Sequence, residues 1–123
     1  MPVLPRLANP FVLGAPKLLT ISSGVVAVGT DTFYAIAVES GYADDLDTIT
    51  GGVAGKIIVI QTNYTAGGPV ITVKDNGVTD VPAADRIALS GNADLTLGFG
   101  GALTLIHDGV GWREIGRSTR SYF

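Results

Sequence analysis

The sequence predicts an all-β domain, on three observations. Short runs rich in Val, Ile and Thr are interrupted by Gly-, Asn- and Asp-containing breaks at about 8–12-residue spacing, the pattern of a small β-domain. No stretch carries a convincing 3.6-residue apolar period. Residues 101–118, GALTLIHDGVGWREIGRS, read as a hairpin: two apolar runs flank Asp108-Gly109-Val110-Gly111, where Gly accepts the positive φ of a tight reversal. A small antiparallel sandwich or barrel-like domain is expected, with an extended N-terminal arm.

The arm is residues 1–16, MPVLPRLANPFVLGAP, which hold four of the six prolines. Proline fixes φ and removes an amide donor, so this stretch is neither a helix interior nor a central strand. Its apolar content (Val3, Leu4, Leu7, Phe11, Val12, Leu13) does not suit a solvated linker. An arm lying on a neighbouring subunit satisfies both facts, and a disordered start or a strap across its own domain is the alternative.

The β-domain is expected over residues 17–118. Its predicted strands begin at 18–22 and 25–28, separated by Ser23-Gly24. Residues 32–39 form the longest run, apolar on both faces and so suited to burial on two sides. Residues 40–55 read as a polar connection with Leu46 and Ile49 as anchors on a short helical turn. The run KIIVIQ at 56–61 is β-branched and a core strand. Further strands are expected at 69–74, 86–89 and 94–97, before the hairpin. In the hairpin Leu103, Leu105 and His107 share one face by period two, with a bulge expected beside Gly111. Residues 119–123 are a tail ending in Tyr122 and Phe123.

Composition narrows the function. Charged residues are 15% of the 123, and Gly numbers 17. Mean hydropathy is +0.40, which is apolar for a small monomer. No run approaches the roughly 20 apolar residues of a membrane-spanning helix, so the apolar surplus is expected at a subunit interface. A merely Gly- and Ala-rich β protein is the other option. Net charge is −3 with Lys and Arg dispersed, so no basic stripe points to nucleic acid, and no membrane partner is expected. The absence of Cys excludes disulfides, thiolate metal sites and a Cys nucleophile. Met1-Pro2 is not followed by a basic segment and an apolar core, so no secretory signal is visible and synthesis in a cytosol is expected.

Candidate chemistry is sparse. Asp44, Asp45 and Asp47 could offer oxygen ligands to calcium, but the segment lacks the further ligands and bidentate Glu of an EF-hand, and carboxylates capping a turn explain it as well. His107 and Asp108 are adjacent in sequence, which places them on opposite faces of a strand rather than in a dyad. Ser22, Ser23 and Ser40 lie in no nucleophile elbow. Neither of the common phosphate-binding glycine patterns is present in a strand-to-helix setting, so no cofactor and no enzyme activity are expected. Trp112 with Tyr34, Tyr42, Tyr64 and Tyr122 could form a sugar platform, although a lone Trp beside a hairpin turn commonly serves as a core plug or interface anchor. Asn63-Tyr64-Thr65 matches a glycosylation acceptor but carries no weight without a secretory signal.

Two segments, DDLDTITGGVAGKIIVI (44–60) and ALTLIHDGVGWREIGRS (102–118), resemble a β-domain of tailed-bacteriophage virion proteins. That group includes tail fibres, head fibres and capsid decoration proteins, commonly trimeric. The resemblance covers most of residues 17–118 and implies structural motifs with no catalytic residues. Among these, a single small domain with a short apolar arm suits a decoration (cement) protein better than a long fibre. The implied partners are two further copies in a homotrimer, the major capsid protein and neighbouring decoration subunits. The implied place is the capsid surface of the virion, after synthesis in the host cytoplasm. Under this expectation Pro2, Leu4, Pro5, Leu7, Pro10, Phe11, Leu13, Tyr122 and Phe123 make capsid or inter-subunit contacts, and Trp112 is a core or interface anchor. The alternative is a head- or tail-fibre module binding host surface glycans.

Overall fold

β-Branched runs bounded by glycine-containing turns become strands almost throughout, as the alternation requires. The computed structural model describes residues 13–63, 69–76, 81–98 and 100–119. Within them lie β1 (Lys17–Thr20), β2 (Val25–Ala27), β3 (Phe33–Ala37), β4 (Ala43–Leu46), β5 (Thr48–Thr50) and β6 (Ile57–Thr62). There follow β7 (Val70–Val73), β8 (Ile87–Ala88), β9 (Leu95–Leu97), β10 (Ala102–His107) and β11 (Trp112–Ser118), with single 3-10 turns at Ala83–Asp85 and Ser90–Asn92. The chain is mostly β, as expected.

The pairing differs from the antiparallel arrangement expected. β1, β3 and β6 lie side by side in parallel, β2 is parallel to β5, and β4 is parallel to β7. The chain thus leaves one sheet, crosses to the others and returns beside its earlier pass, which is solenoid-like stacking. Antiparallel pairing comes later, where β9 joins β7, and β10 is held between β6 and β11. β8 closes the six-stranded sheet by pairing in parallel with β11. Parallel neighbours need a long crossover, and here the segments between β1 and β3 and between β3 and β6 supply it by carrying strands of the other sheets. Period-two alternation is the same for both senses of pairing, so it could not distinguish them.

The helical turn expected around Leu46 and Ile49 is also corrected. Both side chains are fully buried, but on β4 and β5. The amides of Asp47 and Thr48 both donate to the carbonyl of Gly24, at 2.7 and 3.1 Å. These bonds reach to the corner of the preceding pass, where a helical turn would have needed local partners. Gly24 itself has φ +81°, and a β-carbon there would run into the Asp47 carboxylate, so the two corners stack only around a glycine.

The bulge lies elsewhere than beside Gly111. The register moves from Leu105 opposite Glu114 to Thr104 opposite Gly116, leaving Ile115 as the extra residue within β11. The turn absorbs its own length, closed by the Asp108 amide donating to the Gly111 carbonyl at 3.1 Å.

The core sits between the sheets and is contributed by every pass: Ile21 and Val26 from the first, Tyr34, Ile36, Leu46 and Ile49 from the second, and Ile58, Ile60, Ile71 and Val73 from the third. The antiparallel return adds Leu95, Leu97, Leu103, Leu105 and Trp112. Tyr34 also secures the turn before β3, its hydroxyl donating to the Asp31 carbonyl at 2.8 Å and accepting from the Gly29 amide at 3.0 Å. Tyr34→Phe removes both bonds with little change of volume. A loss of about 1 kcal/mol is expected in urea unfolding, and an unchanged midpoint would show that the hydroxyl does not hold this corner.

Candidate functional site

The hairpin tip gathers more side-chain chemistry than any other part of the described residues, because β10 and β11 deliver His107, Asp108, Trp112 and Arg113 beside the 3-10 turn Ala83–Asp85. Trp112 is almost wholly buried, and its indole N–H donates to the Ile49 carbonyl at 2.9 Å. It is a core anchor, tying the last strand to the second pass. The His107 ring meets the indole edge-on, with centroids 5.1 Å apart and planes at 90°. Its Nδ1 accepts from the Gly109 amide at 3.1 Å, which assigns the proton to Nε2, 2.9 Å from the Ala84 carbonyl oxygen. Both imidazole nitrogens are therefore bound to backbone.

Asp108 is engaged separately. Its Oδ1 accepts from the amides of Val110 at 2.9 Å and Gly111 at 3.0 Å, and its Oδ2 lies 3.2 Å from Arg113 Nε. The Gly111 amide chiefly, then the Val110 amide and Arg113, hold its carboxyl down at about 2. It is a turn-capping carboxylate that does not reach the His107 ring as a dyad partner.

Between this tip and β8 runs a cleft of about 210 Å³, lined by Asn76, Arg86, Asp108, Val110, Trp112 and Arg113 among others. Arg86 crosses its floor, accepting the Trp112 amide at its carbonyl (2.9 Å) and donating from Nη2 to the Val81 carbonyl (2.9 Å). Farther along β11, Glu114 accepts from the Ser90 amide at 2.8 Å and from Arg117, whose hydrogen bond is the main cause holding the Glu114 carboxyl below its ordinary value. From sequence Asn76 reads only as part of the turn Asp75-Asn76-Gly77, Glu114 only as part of the closing hairpin and Arg86 only as a strand end, so none of the three stands out as a site residue. Gly52 was also missed. It lies under the rings, and a β-carbon there would stand 2.9 Å from Trp112 Cζ2 and from His107 Nε2.

The other candidates are dispersed. Asp44 accepts the amides of Glu39 at 2.7 Å and Asp45 at 2.8 Å, and Asp47, raised in pKa by burial and then by Asp45, sits at the stacked corner. No group of three or more His, Cys, Asp or Glu able to hold a metal occurs among the described residues. Tyr34 and Trp112 are buried while Tyr42 is exposed, so these aromatics do not share a sugar platform; Tyr64 and Tyr122 lie outside the described residues. Ser22, Ser23 and Ser40 are exposed in turns, on no common site with His107. Of the expected contact residues, Leu13 is exposed ahead of β1, and Pro2, Leu4, Pro5, Leu7, Pro10, Phe11, Tyr122 and Phe123 lie outside the described residues. No protein-family model, no curated protein and no solved structure matches the chain.

Two outcomes follow from the tip. Gly52→Ala forces a methyl against two packed rings, and a loss of about 1–3 kcal/mol is expected, with a changed near-ultraviolet signal from Trp112; wild-type stability and signal would show that the rings yield freely. Asp108 has a folded pKa of about 2 against an ordinary 3.8, so its stabilisation is complete above the ordinary value and is lost as pH falls from 3.8 towards 2. Asp108→Asn should flatten the fall of Tm across that window, and an unaltered acid limb would remove the turn from the account.

Proposed function

We propose that this chain is a structural virion protein of a tailed bacteriophage, a capsid decoration protein that binds the outer head surface as a homotrimer and stabilises the shell. One observation carries the reading: the polar groups concentrated at the hairpin tip are consumed in holding the fold, while a proline-punctuated apolar arm enters the domain at the exposed edge strand β1. A scaffold with its chemistry spent internally and an apolar segment at its margin suits attachment rather than turnover.

The physics of such a role is linkage. A protein that binds the assembled shell and not its separate subunits shifts the equilibrium towards the shell. A trimer presents three equivalent arms, so contacts that are weak singly add once the first is engaged. A second reading, a head- or tail-fibre module binding host glycans, draws on the cleft beside Asn76, Asp108 and Arg113, whose polar groups could meet sugar hydroxyls. Copy number separates the two: hundreds per particle for lattice decoration, a handful for a fibre.

Deleting residues 1–16, which ends just before β1, should abolish binding to phage heads in a co-sedimentation assay while circular dichroism and oligomeric mass stay unchanged. Full occupancy by the shortened chain would overturn the assignment of the arm.

A further inference from the structure

The six-stranded sheet ends at β1, beyond which no strand lies among the described residues. Which backbone groups face that edge follows from the pairing on the other side. The Ile21 amide donates to the Ala37 carbonyl at 2.9 Å, and the parallel register with β3 runs unbroken from Lys17 opposite Tyr34 to Thr20 opposite Ala37. Backbone direction alternates along a strand, so Lys17 and Leu19 point to β3 as Ile21 does, while Leu18 and Thr20 point outward. Each of these two directs an amide and a carbonyl to the edge, and the Leu18 side chain beside them is more than half exposed. An edge of this kind is a template for one more strand. A turn leads into β1: Gly14 has φ +86°, and the chain bends at Ala15 before Pro16. Residues 1–12 lie outside the described residues and end five positions before Lys17.

We infer that residues 9–12 of the same chain pair antiparallel with β1, with residues 13–16 as the reversal. Hairpin loops commonly run to about 2–5 residues, and Gly14 supplies the left-handed position that such a loop uses. Proline fixes the register. Leu18 and Thr20 each need a facing residue that both donates and accepts. Phe11 opposite Leu18 and Asn9 opposite Thr20 meet that need. A shift of one residue either way would set Pro10, which has no N–H, against Leu18 or Thr20. In the chosen register Pro10 instead turns its nitrogen to the new outer edge, where proline is tolerated and blocks a further strand. The side chains agree with it. Phe11 falls beside the exposed Leu18 and Asn9 beside Thr20 on one face, and Pro10 falls beside Leu19, which packs on the core, on the other. The same segment of a neighbouring copy is the competing occupant. The chain's own segment is tethered by four residues, which gives it an effective concentration on the order of millimolar before any contact between copies forms. The inference goes beyond the decoration reading and does not rest on it. Within that reading it divides the arm, leaving residues 1–8, with Leu4 and Leu7, to reach the shell.

The test is amide hydrogen exchange, followed by NMR, on the full-length chain and on chains lacking residues 1–8 or 1–12. In the first two, Leu18 and Thr20 should exchange as slowly as Leu19 and Ile21, whose amides face β3. Without residues 1–12, Leu18 and Thr20 should speed up by about 100-fold while Leu19 and Ile21 stay slow. Phe11→Pro removes the amide that faces Leu18 and should give the same loss, which keeps the test open should the shorter chain not fold. Pro10→Ala should leave all four amides slow. Rapid exchange of Leu18 and Thr20 in the full-length chain overturns the pairing, as does protection that survives the loss of residues 1–12 or disappears with residues 1–8 alone. A second measurement identifies whose segment it is. The chain has no Cys, so Pro10→Cys with Leu19→Cys, a facing pair, should close a disulfide within one chain in a glutathione buffer. Phe11→Cys with Leu19→Cys, on opposite faces, should stay reduced. Equal closure of both pairs, or a disulfide that joins two chains, overturns the inference, the latter by giving the edge to a neighbour's arm. Slow Leu18 and Thr20 in a chain that does not bind phage heads supports the pairing and overturns the decoration reading. Rapid exchange in a chain that does bind heads overturns the pairing alone.

Discussion

An open stack of parallel strands cannot bury its last apolar face by itself, and the rest of this domain depends on how that face is closed. The first three passes build the stack from β1, β3 and β6 with their partners in the other sheets. The antiparallel return then covers it, and Trp112 secures the closure by giving its indole N–H to the Ile49 carbonyl, a bond across 63 positions of sequence. Within a buried environment an unpaired indole or carbonyl would cost about 1–3 kcal/mol, so this pairing specifies where the hairpin sits as well as holding it there. Gly52 is the counterpart of that bond, since only a residue without a side chain lets the second crossover pass beneath the two rings.

The same closure explains why the richest cluster of polar groups is not a reactive one. His107 has both nitrogens on backbone partners, and Asp108 has its oxygens on two amides and a guanidinium. Each group is satisfied where it stands. The groups that remain open to solvent around the cleft, Asn76 and Arg113 among them, come from different elements. A surface of that kind is suited to recognition, and the proposed attachment role asks for nothing more.

How much could be read in advance varied with the range of the forces involved. Val, Ile and Thr runs, and the Asp-Gly turn at 108–109, located most strands to within a residue or two, because β propensity and turn geometry act over a few neighbours. The alternation of Leu103, Leu105 and His107 against Ala102, Thr104 and Ile106 was legible for the same reason. Leu46 and Ile49 were recognisable as anchors, but their three-residue spacing suggested a turn of helix. The deciding bonds come from Gly24, 23 positions before Asp47. Around the tip, Trp112 and His107 stood out as single occurrences, whereas Gly52 and Arg86 became visible only through what folding brings next to them.

Sequence by itself determined that this protein is built of short strands, where the closing hairpin turns, and that its composition is apolar for a small domain. Tertiary structure alone decided that the early strands run parallel in stacked passes and that the extra residue of the hairpin is Ile115. The division has one physical cause. Alternation records which residues share a face, and it is blind to the direction of the neighbouring strand and to what will lie across that face. Those depend on contacts between residues far apart in the chain, which exist only once it has folded.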